Sequence, residues 1–143
     1  MLAKDFLKKI ITIDNLINCK IAQVKDLRDG LAYAGSNLSS DKVQSSIDPD
    51  KFTNTISKII DLESEINRDI DRLVDYKKTA RELIEKLDSD TQKIILYKRY
   101  FEGKTFETIS VECGYSWRQT HRIHSKALQR LNEVIESHNT KVI

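Results

Sequence analysis

The sequence predicts an all-α protein in which a long helical hairpin or coiled-coil arm precedes a compact C-terminal helical module. Three observations predict this class. Helix breakers are scarce, with four Gly and one Pro in 143 residues. Apolar residues recur at helical spacing over most of the chain. Two Ser-x-x-Gln boxes mark helix starts in its C-terminal third.

The first helix is predicted from about Ala3 to Asp29. Its apolar residues recur every three or four positions and form one stripe: Leu2, Phe6, Ile10, Ile13, Ile17, Ile21 and Val24. Gly30 is typical of the residue that ends a helix. Residues 31–47 contain five Ser and show no sustained period, so they are predicted to form a loop.

A long second helix is predicted to begin at Asp48-Pro49, because Asp can cap free amides and Pro suits a first helical position. Its seam positions alternate steps of four and three, and nine of the eleven are apolar: Phe52, Ile56, Ile59, Glu63, Ile66, Ile70, Leu73, Lys77, Ala80, Ile84 and Leu87. Glu63 and Lys77 either fix the register of this seam or lie at its exposed edge.

A helix from Pro49 to Leu87 would be about 58 Å long at 1.5 Å per residue, more than the C-terminal module can cover. Either the first helix folds back as an antiparallel hairpin, or two chains pair through it, or both. Residues 1–88 are therefore predicted to be an oligomerisation arm that forms a homodimer or a higher homo-oligomer.

Residues 89–143 are predicted to be a separable module behind a short hinge. Ser89 and Ser116 each begin a helix through a Ser-x-x-Gln box, and Thr105 caps a short helix between them. Gly114 supplies the positive φ of a tight turn. A helix, a tight turn and a second helix form the arrangement that places one helix end in the major groove of DNA.

The two helices that flank this turn also have the residues that a close crossing needs. Ser110 is small enough to let the helices approach each other. The core between them is expected to use apolar residues at matching positions: Ile109, Tyr115, Ile123, Ala127 and Leu131.

The last helix carries a basic face. Four cations repeat every four residues, and no acidic residue lies between Glu112 and Glu133: Arg118, Arg122, Lys126 and Arg130. The whole chain has a net charge of +2, but residues 90–143 carry +3 and residues 1–89 carry −1. Double-stranded DNA is therefore predicted to bind the C-terminal third.

Three stretches of the module point to a family. They are residues 96–110 (LYKRYFEGKTFETIS), 114–116 (GYS) and 122–131 (RIHSKALQRL), and they closely resemble region 4 of sigma-70-type factors. With the helical arm and residues 43–46 (VQSS), the chain also resembles small phage and prophage proteins related to the ArpU and RinA late-gene transcription regulators. The resemblance implies a phage or prophage origin, a promoter-proximal target and control of packaging and structural genes.

The resemblance has limits that bear on function. Thr120 stands where sigma factors usually have Val. We expect no complete sigma factor, because 143 residues with a coiled-coil arm leave no room for a region that opens promoter DNA.

Transferred residue by residue, the resemblance implies that the start of the last helix reads bases. The base-reading candidates are Trp117, Arg118, Gln119, His121 and Arg122, since Arg can contact guanine, Gln adenine and Trp a thymine methyl. The candidates for backbone contact are Lys104, Thr105, Ser116, Lys126 and Arg130. For Trp117, a core position against the module's first helix is the alternative.

Other classes of function lack support in the sequence. No Gly-rich phosphate loop, nucleophile elbow or placed carboxylate pair is recognisable, so no enzyme activity is expected. His121 and His124 lie one turn apart, but no further ligand completes a metal site, and no cofactor is expected.

The sequence also predicts where the protein works. No apolar run approaches the about 20 residues that span a membrane, so no membrane partner is expected. Residues 1–13 lack a signal-peptide pattern, and Cys19 and Cys113 lie far apart in the chain. A cytoplasmic protein with two free thiols is therefore predicted.

The predicted function is a sequence-specific DNA-binding transcription regulator of phage or prophage late genes, with RNA polymerase as a candidate second partner. Two alternatives remain open. A terminase small subunit also joins a helix-turn-helix to oligomerising helices, and it would assemble as a ring. A sigma-like adaptor would bind RNA polymerase or an anti-sigma partner without DNA specificity of its own.

Overall fold

A computed structural model describes residues 2–37 and 49–141 of the chain. These residues form five α-helices and no strand: α1 (Ala3–Asn37), α2 (Pro49–Ile84), α3 (Asp90–Leu96), α4 (Phe106–Cys113) and α5 (Trp117–Lys141). A π-helical turn, Tyr97–Phe101, follows α3 directly. The predicted all-α class is confirmed.

The prediction that the first helix ends at Gly30 is wrong. α1 passes through Gly30 and ends at Asn37, because Leu and Ala residues after the glycine are good helix formers that offset its cost. The rest of the predicted loop, with Asp48 and residues 43–46, lies outside the described residues. α2 begins at Pro49, as the sequence predicts.

The chain divides into two compact units. The first unit contains Met1–Ile13 and Leu73–Ile143, and the second contains Asp14–Arg72. This division does not follow the predicted boundary between residues 88 and 89. The start of α1 and the end of α2 belong to the same unit as α3, α4 and α5.

The first unit has a hydrophobic core to which four helices contribute. Its buried members are Ala3, Leu7, Ile10, Ala80, Leu83, Ile84, Leu87, Leu96, Tyr100, Ala127 and Leu131. The ring of Phe6 also contacts the ring of Tyr76, with 5.5 Å between centroids. The predicted hinge at residues 87–90 therefore adjoins a shared core, because α3 and α5 pack on apolar side chains from both long helices.

The second unit is an antiparallel pair formed by residues 14–37 and 49–72. Lys20 Nζ donates to Asp69 Oδ2 at 2.6 Å, and Arg28 pairs with Glu63. The partner's number falls as the number along α1 rises, so the helices run in opposite directions. The hairpin alternative is thus the one found within this unit.

An ion pair between a partly buried lysine and a buried aspartate joins the two helices of this hairpin, at Lys20 and Asp69. Asp69 is 6% exposed, and its hydrogen bond from Lys20 holds the pKa of the carboxyl below its usual range. The charged residues that the sequence predicted at the seam between helices are Glu63 and Lys77 instead. Asp69 was missed because its partner lies on the other helix, 49 positions away.

Two general features of the described residues bear on the predicted environment. None of their helices is both long enough and apolar enough to cross a membrane. Cys19 and Cys113 are both free thiols.

Candidate nucleic-acid interface

The turn between α4 and α5 is fixed by local hydrogen bonds. Thr105 caps α4, with its Oγ1 accepting from the Thr108 amide at 3.2 Å. Gly114 ends α4 at φ 72°, a conformation that glycine adopts without a Cβ penalty. The Ser116 hydroxyl accepts from the Gln119 amide at 3.1 Å and so caps α5. All three positions were predicted from the sequence, because caps and tight turns depend on neighbouring residues.

The crossing of α4 and α5 depends on two buried hydroxyls. Thr120 is fully buried and Ser110 is 7% exposed. Their oxygens lie 2.9 Å apart, and Thr120 Oγ1 also donates to the Ser116 carbonyl at 3.0 Å. The buried hydroxyl of Thr120, where sigma factors usually have Val, therefore has its hydrogen bonds satisfied. It connects the Ser116 cap of α5 with Ser110 on α4.

The predicted core of the helix pair is largely present. Ile109, Ala127 and Leu131 are buried to 1% exposure or less, whereas Tyr115 and Ile123 are only partly buried. The start of α5 is thereby held in place from one side, and its opposite side faces outward.

The outward side of α5 carries the predicted reading residues. Arg118, Gln119 and Arg122 are exposed, as is Lys126 one turn later. Among the described residues, no carboxylate forms an ion pair with Arg118, Arg122 or Lys126. This face therefore presents positive charge that no partner among the described residues offsets.

Trp117 is not a core residue. It is 55% exposed, and its ring contacts the ring of His121, with 4.0 Å between centroids. The core alternative for this side chain is thus excluded, because none of the observed ring contacts joins it to α3. An exposed indole at the first position of α5 is free to contact a base.

His121 is held differently from the other base-reading candidates. Its ring lies between Trp117 and Phe106, 4.1 Å from the Phe106 ring centroid. Its Nε2 is buried and has no hydrogen-bond partner among the described residues. This placement suits a side chain that supports Trp117 better than one that reaches a base edge.

His124 is buried in the unit and cannot join the reading face. Its Nε2 lies 2.9 Å from the Tyr100 hydroxyl. Burial, followed by the charges of Arg99, His121 and Lys4, lowers its pKa to about 4. The ring is therefore neutral at physiological pH. No group of three metal-binding side chains lies together anywhere in the part of the chain that the structure describes.

The predicted backbone contacts differ in how available they are. Lys104 Nζ lies 2.8 Å from Glu112 and 3.4 Å from Glu102, and the hydrogen bond to Glu112 raises the pKa of the lysine. Arg130 lies 3.3 Å from Glu133. Both cations are partly offset, whereas Lys126 is not. Thr105 and Ser116 already serve as caps, as described above, although both remain exposed.

Sequence reasoning missed a basic groove beside α5. It measures about 550 Å³, and α1 and the α3 region supply its cations: Lys4, Lys8 and Arg99. Lys4 and Lys8 are one helical turn apart, which is a signal that the sequence does contain. The fold-back that brings them to α5 is a tertiary contact across more than 100 residues, and no local pattern encodes it.

Comparison with known proteins agrees with this geometry. Residues 83–133 match the family model of sigma-70, region 4. The matched segment begins within the last two turns of α2, which the structure places in the same core as α3 and α5. It ends in the middle of α5 and covers the whole helix-turn-helix.

One curated protein that is similar to this chain is a sigma factor. The RNA polymerase sigma-G factor of Bacillus subtilis (strain 168) is 32% identical over 74 residues. The match covers 46% of this chain and 28% of the sigma factor, so the chain spans well under half of that relative's length. No solved structure matches the chain. Residues 83–133 thus contain a helix-turn-helix that is similar to sigma-70, region 4.

Proposed function

We propose that the chain is a sequence-specific duplex-DNA-binding regulator of transcription. The observation that carries the proposal is the unpaired basic face of α5 behind a turn that its own caps hold in place. A helix end presented in this way can enter a major groove about 12 Å wide.

The role that we propose for each side chain in DNA binding follows from its exposure. Arg118, Gln119 and Arg122 read base edges, and Trp117 contacts a thymine methyl. His121 supports the indole of Trp117 through ring contact. The base-reading residues are thus those that the sequence predicted, except for His121, which supports Trp117 and does not contact a base.

Backbone contacts complete this surface. We assign them to Lys126 and Arg130 on α5, with Thr105 and Ser116 at the helix starts. Lys104 contributes less than the sequence predicted, because DNA phosphate would have to compete with Glu112 for its ammonium group. Such contacts fix the register of the protein on DNA without reading sequence.

The biological setting that we propose is control of phage or prophage late genes in the cytoplasm. Its support is the resemblance of the whole chain to ArpU- and RinA-related regulators. RNA polymerase is a proposed second partner, and its support is the similarity of residues 83–133 to a region of sigma factors. A regulator that bound both would bring polymerase to its own site.

We further propose that a second copy of the chain covers part of α2 in the second unit. Four large apolar side chains there are 37% to 57% exposed: Phe52, Ile56, Ile60 and Ile70. At 100° per residue they lie within about 40° of one line along the helix. A continuous exposed apolar line is typical of a helix pairing surface, and paired chains would place two reading helices on one duplex.

Selection of duplexes from a random library by the intact protein tests the proposal. We expect a defined motif to be enriched. Arg118→Ala and Arg122→Ala should each weaken binding to that motif by about 1–3 kcal/mol and relax base preference at one position. Arg68→Ala, which removes the same charge from the second unit, is the matched control and should bind normally.

Three outcomes would change the proposal. Equal losses on every duplex would reduce Arg118 and Arg122 to phosphate contacts. Failure to enrich any motif, combined with binding to RNA polymerase, would favour the adaptor. A ring-shaped oligomer in light scattering would favour the terminase small subunit.

A further inference from the structure

The basic groove beside α5 belongs entirely to the first unit. α1 contributes Lys4 and Lys8, the π-helical turn contributes Arg99, and α5 contributes His121, His124 and Ser125. None of the described residues that line it is acidic. The groove therefore concentrates positive charge from Lys4, Lys8 and Arg99 in one place.

The two lysines of this groove are free of ion pairs among the described residues, and both are exposed. By contrast, Lys20 is paired with Asp69, and Lys98 and Lys104 are paired with Glu112. An exposed lysine that keeps no carboxylate partner is available to an external anion.

Arg99 gives the groove a fixed positive wall. Its Nη1 donates to the Lys104 carbonyl at 3.0 Å, and its guanidinium lies 4.6 Å from the Phe106 ring centroid. Two contacts hold the group in one orientation, and the remaining N–H donors are available to a ligand. The low pKa of His124, caused mainly by burial and then by the charges of Arg99, His121 and Lys4, agrees with a positive potential here.

The groove borders the proposed reading face. His121 and Ser125 line it and lie on α5 one turn apart. At 100° per residue, Ser125 points about 20° away from Arg118 around the helix. A helix in a major groove lies between two phosphate backbones, so one backbone would pass along the side of α5 where α1 begins.

We propose that Lys4 and Lys8 of α1 bind backbone phosphates of the same duplex that α5 reads. The inference rests on the proposed DNA binding. It adds to it a contact from the opposite end of the sequence, outside residues 83–133 that match sigma-70 region 4. The ligand is a phosphodiester, and its recognition is independent of base sequence.

The test compares intact chains on the selected duplex and on a scrambled duplex. Lys4→Gln/Lys8→Gln should weaken binding to both duplexes by about tenfold or more at 0.1 M salt. The slope of log affinity against log salt should become less steep by about two, since each lost phosphate contact contributes about 0.9. Lys4→Arg/Lys8→Arg should bind like the wild type.

Lys51→Gln/Lys58→Gln is the matched control. It removes two exposed lysines of the second unit and should leave affinity and salt slope unchanged. Thermal melting of all variants establishes that they fold, which is expected because the substituted side chains are exposed.

Each result has a definite meaning. Wild-type affinity in Lys4→Gln/Lys8→Gln overturns the inference while leaving the proposed function intact. Equal losses in both lysine pairs also overturn it, because net charge alone would then explain the effect. Saturable binding of inorganic phosphate that needs Lys4 and Lys8, without any effect on DNA affinity, assigns the groove to a free anion. A wild-type chain that binds no duplex overturns both proposals.

Discussion

The two compact units differ in the interactions that stabilise them. In the first unit, fully buried aliphatic side chains from α1, α2, α3 and α5 converge on one core. In the described part of the second unit, the buried apolar residues are Ile17, Val24 and Ile59, and ion pairs lie between the helices. The helix α5 is thus braced by segments from distant parts of the sequence, whereas the two-helix hairpin leaves large apolar side chains exposed.

The largest effect should come from cutting the first unit at the predicted boundary. A fragment of residues 89–143 loses Leu7, Ile10 and Ile84, each of which is at most 1% exposed. Removing one such side chain costs about 2–5 kcal/mol, and the whole fold is worth only about 5–15 kcal/mol. We expect circular dichroism to show an unfolded fragment, in place of the separable module that the sequence predicted.

A matched shortened chain sharpens this comparison. It replaces residues 14–72 with about ten Gly and Ser residues, which span roughly 17 Å, more than the 8–10 Å between packed helices. Every core residue of the first unit remains, so this chain should be helical and melt cooperatively. If residues 89–143 fold alone while the linked chain does not, the shared core described here is wrong.

The second-largest effect should be on molecular mass. Ile60→Lys/Ile70→Lys places two charges on the exposed apolar line of α2 and should convert the proposed dimer to a monomer in light scattering. Helicity should be retained, because both side chains are exposed. Val111→Lys, at an 83% exposed residue of the first unit, is the control and should remain dimeric. A wild-type chain that is monomeric at micromolar concentration would contradict pairing.

Acid should affect the first unit before the second. All three histidines lie in the first unit, and His124 has a pKa of about 4 against an ordinary value of 6.5. Below pH 6.5 the unfolded chain binds a proton that the folded chain does not, so stability is lost as pH falls from 6.5 to 4. The full difference corresponds to about 3 kcal/mol, and solvent screening at the groove edge reduces our expectation to about 2 kcal/mol.

Denaturant unfolding at pH 7 and pH 4.5 measures this loss, with His124→Gln as the variant that should lack most of it. In the second unit, the pKa of Asp69 is lowered by Lys20, so its contribution is present above about pH 4 and disappears only at lower pH. If hydrogen exchange showed that amides of the second unit lose protection before those of the first unit as the pH falls, this order would be contradicted.

The smallest effect concerns the hydroxyl pair at the helix crossing. Thr120→Val and Ser110→Ala should each cost about 1 kcal/mol, since each removes one partner of a buried hydrogen bond. The double variant should cost less than the sum, by about 0.5–1 kcal/mol, because no hydroxyl is then left facing an apolar neighbour. Strict additivity in urea unfolding would mean that the two groups do not interact.

Local chemistry explains which features the sequence could predict. The caps at Ser89, Thr105 and Ser116 and the turn at Gly114 depend on residues within four positions, and each lies where the sequence indicated. The basic face of α5 was predictable for the same reason, since it depends only on helical spacing.

Tertiary contacts explain what the sequence could not predict. Lys104 was expected to contact the DNA backbone, and the fold brings Glu112 within 2.8 Å of its ammonium group. His121 was expected to read bases, but Phe106 and Trp117 enclose its ring. The groove at Lys4 and Lys8 requires the start of α1 to lie against α5. The length of α1 beyond Gly30 follows from Leu and Ala residues that offset the cost of Gly30 and Gly35.

The central claim is that α5 of the intact chain reads duplex sequence. Its most direct test is the ratio of affinities for the selected duplex and a scrambled duplex of equal length, measured between about 50 and 200 mM salt. We expect both affinities to fall with salt while the ratio stays at about 10³ or more. A ratio near one at every salt concentration would contradict sequence reading by α5, whatever the strength of binding.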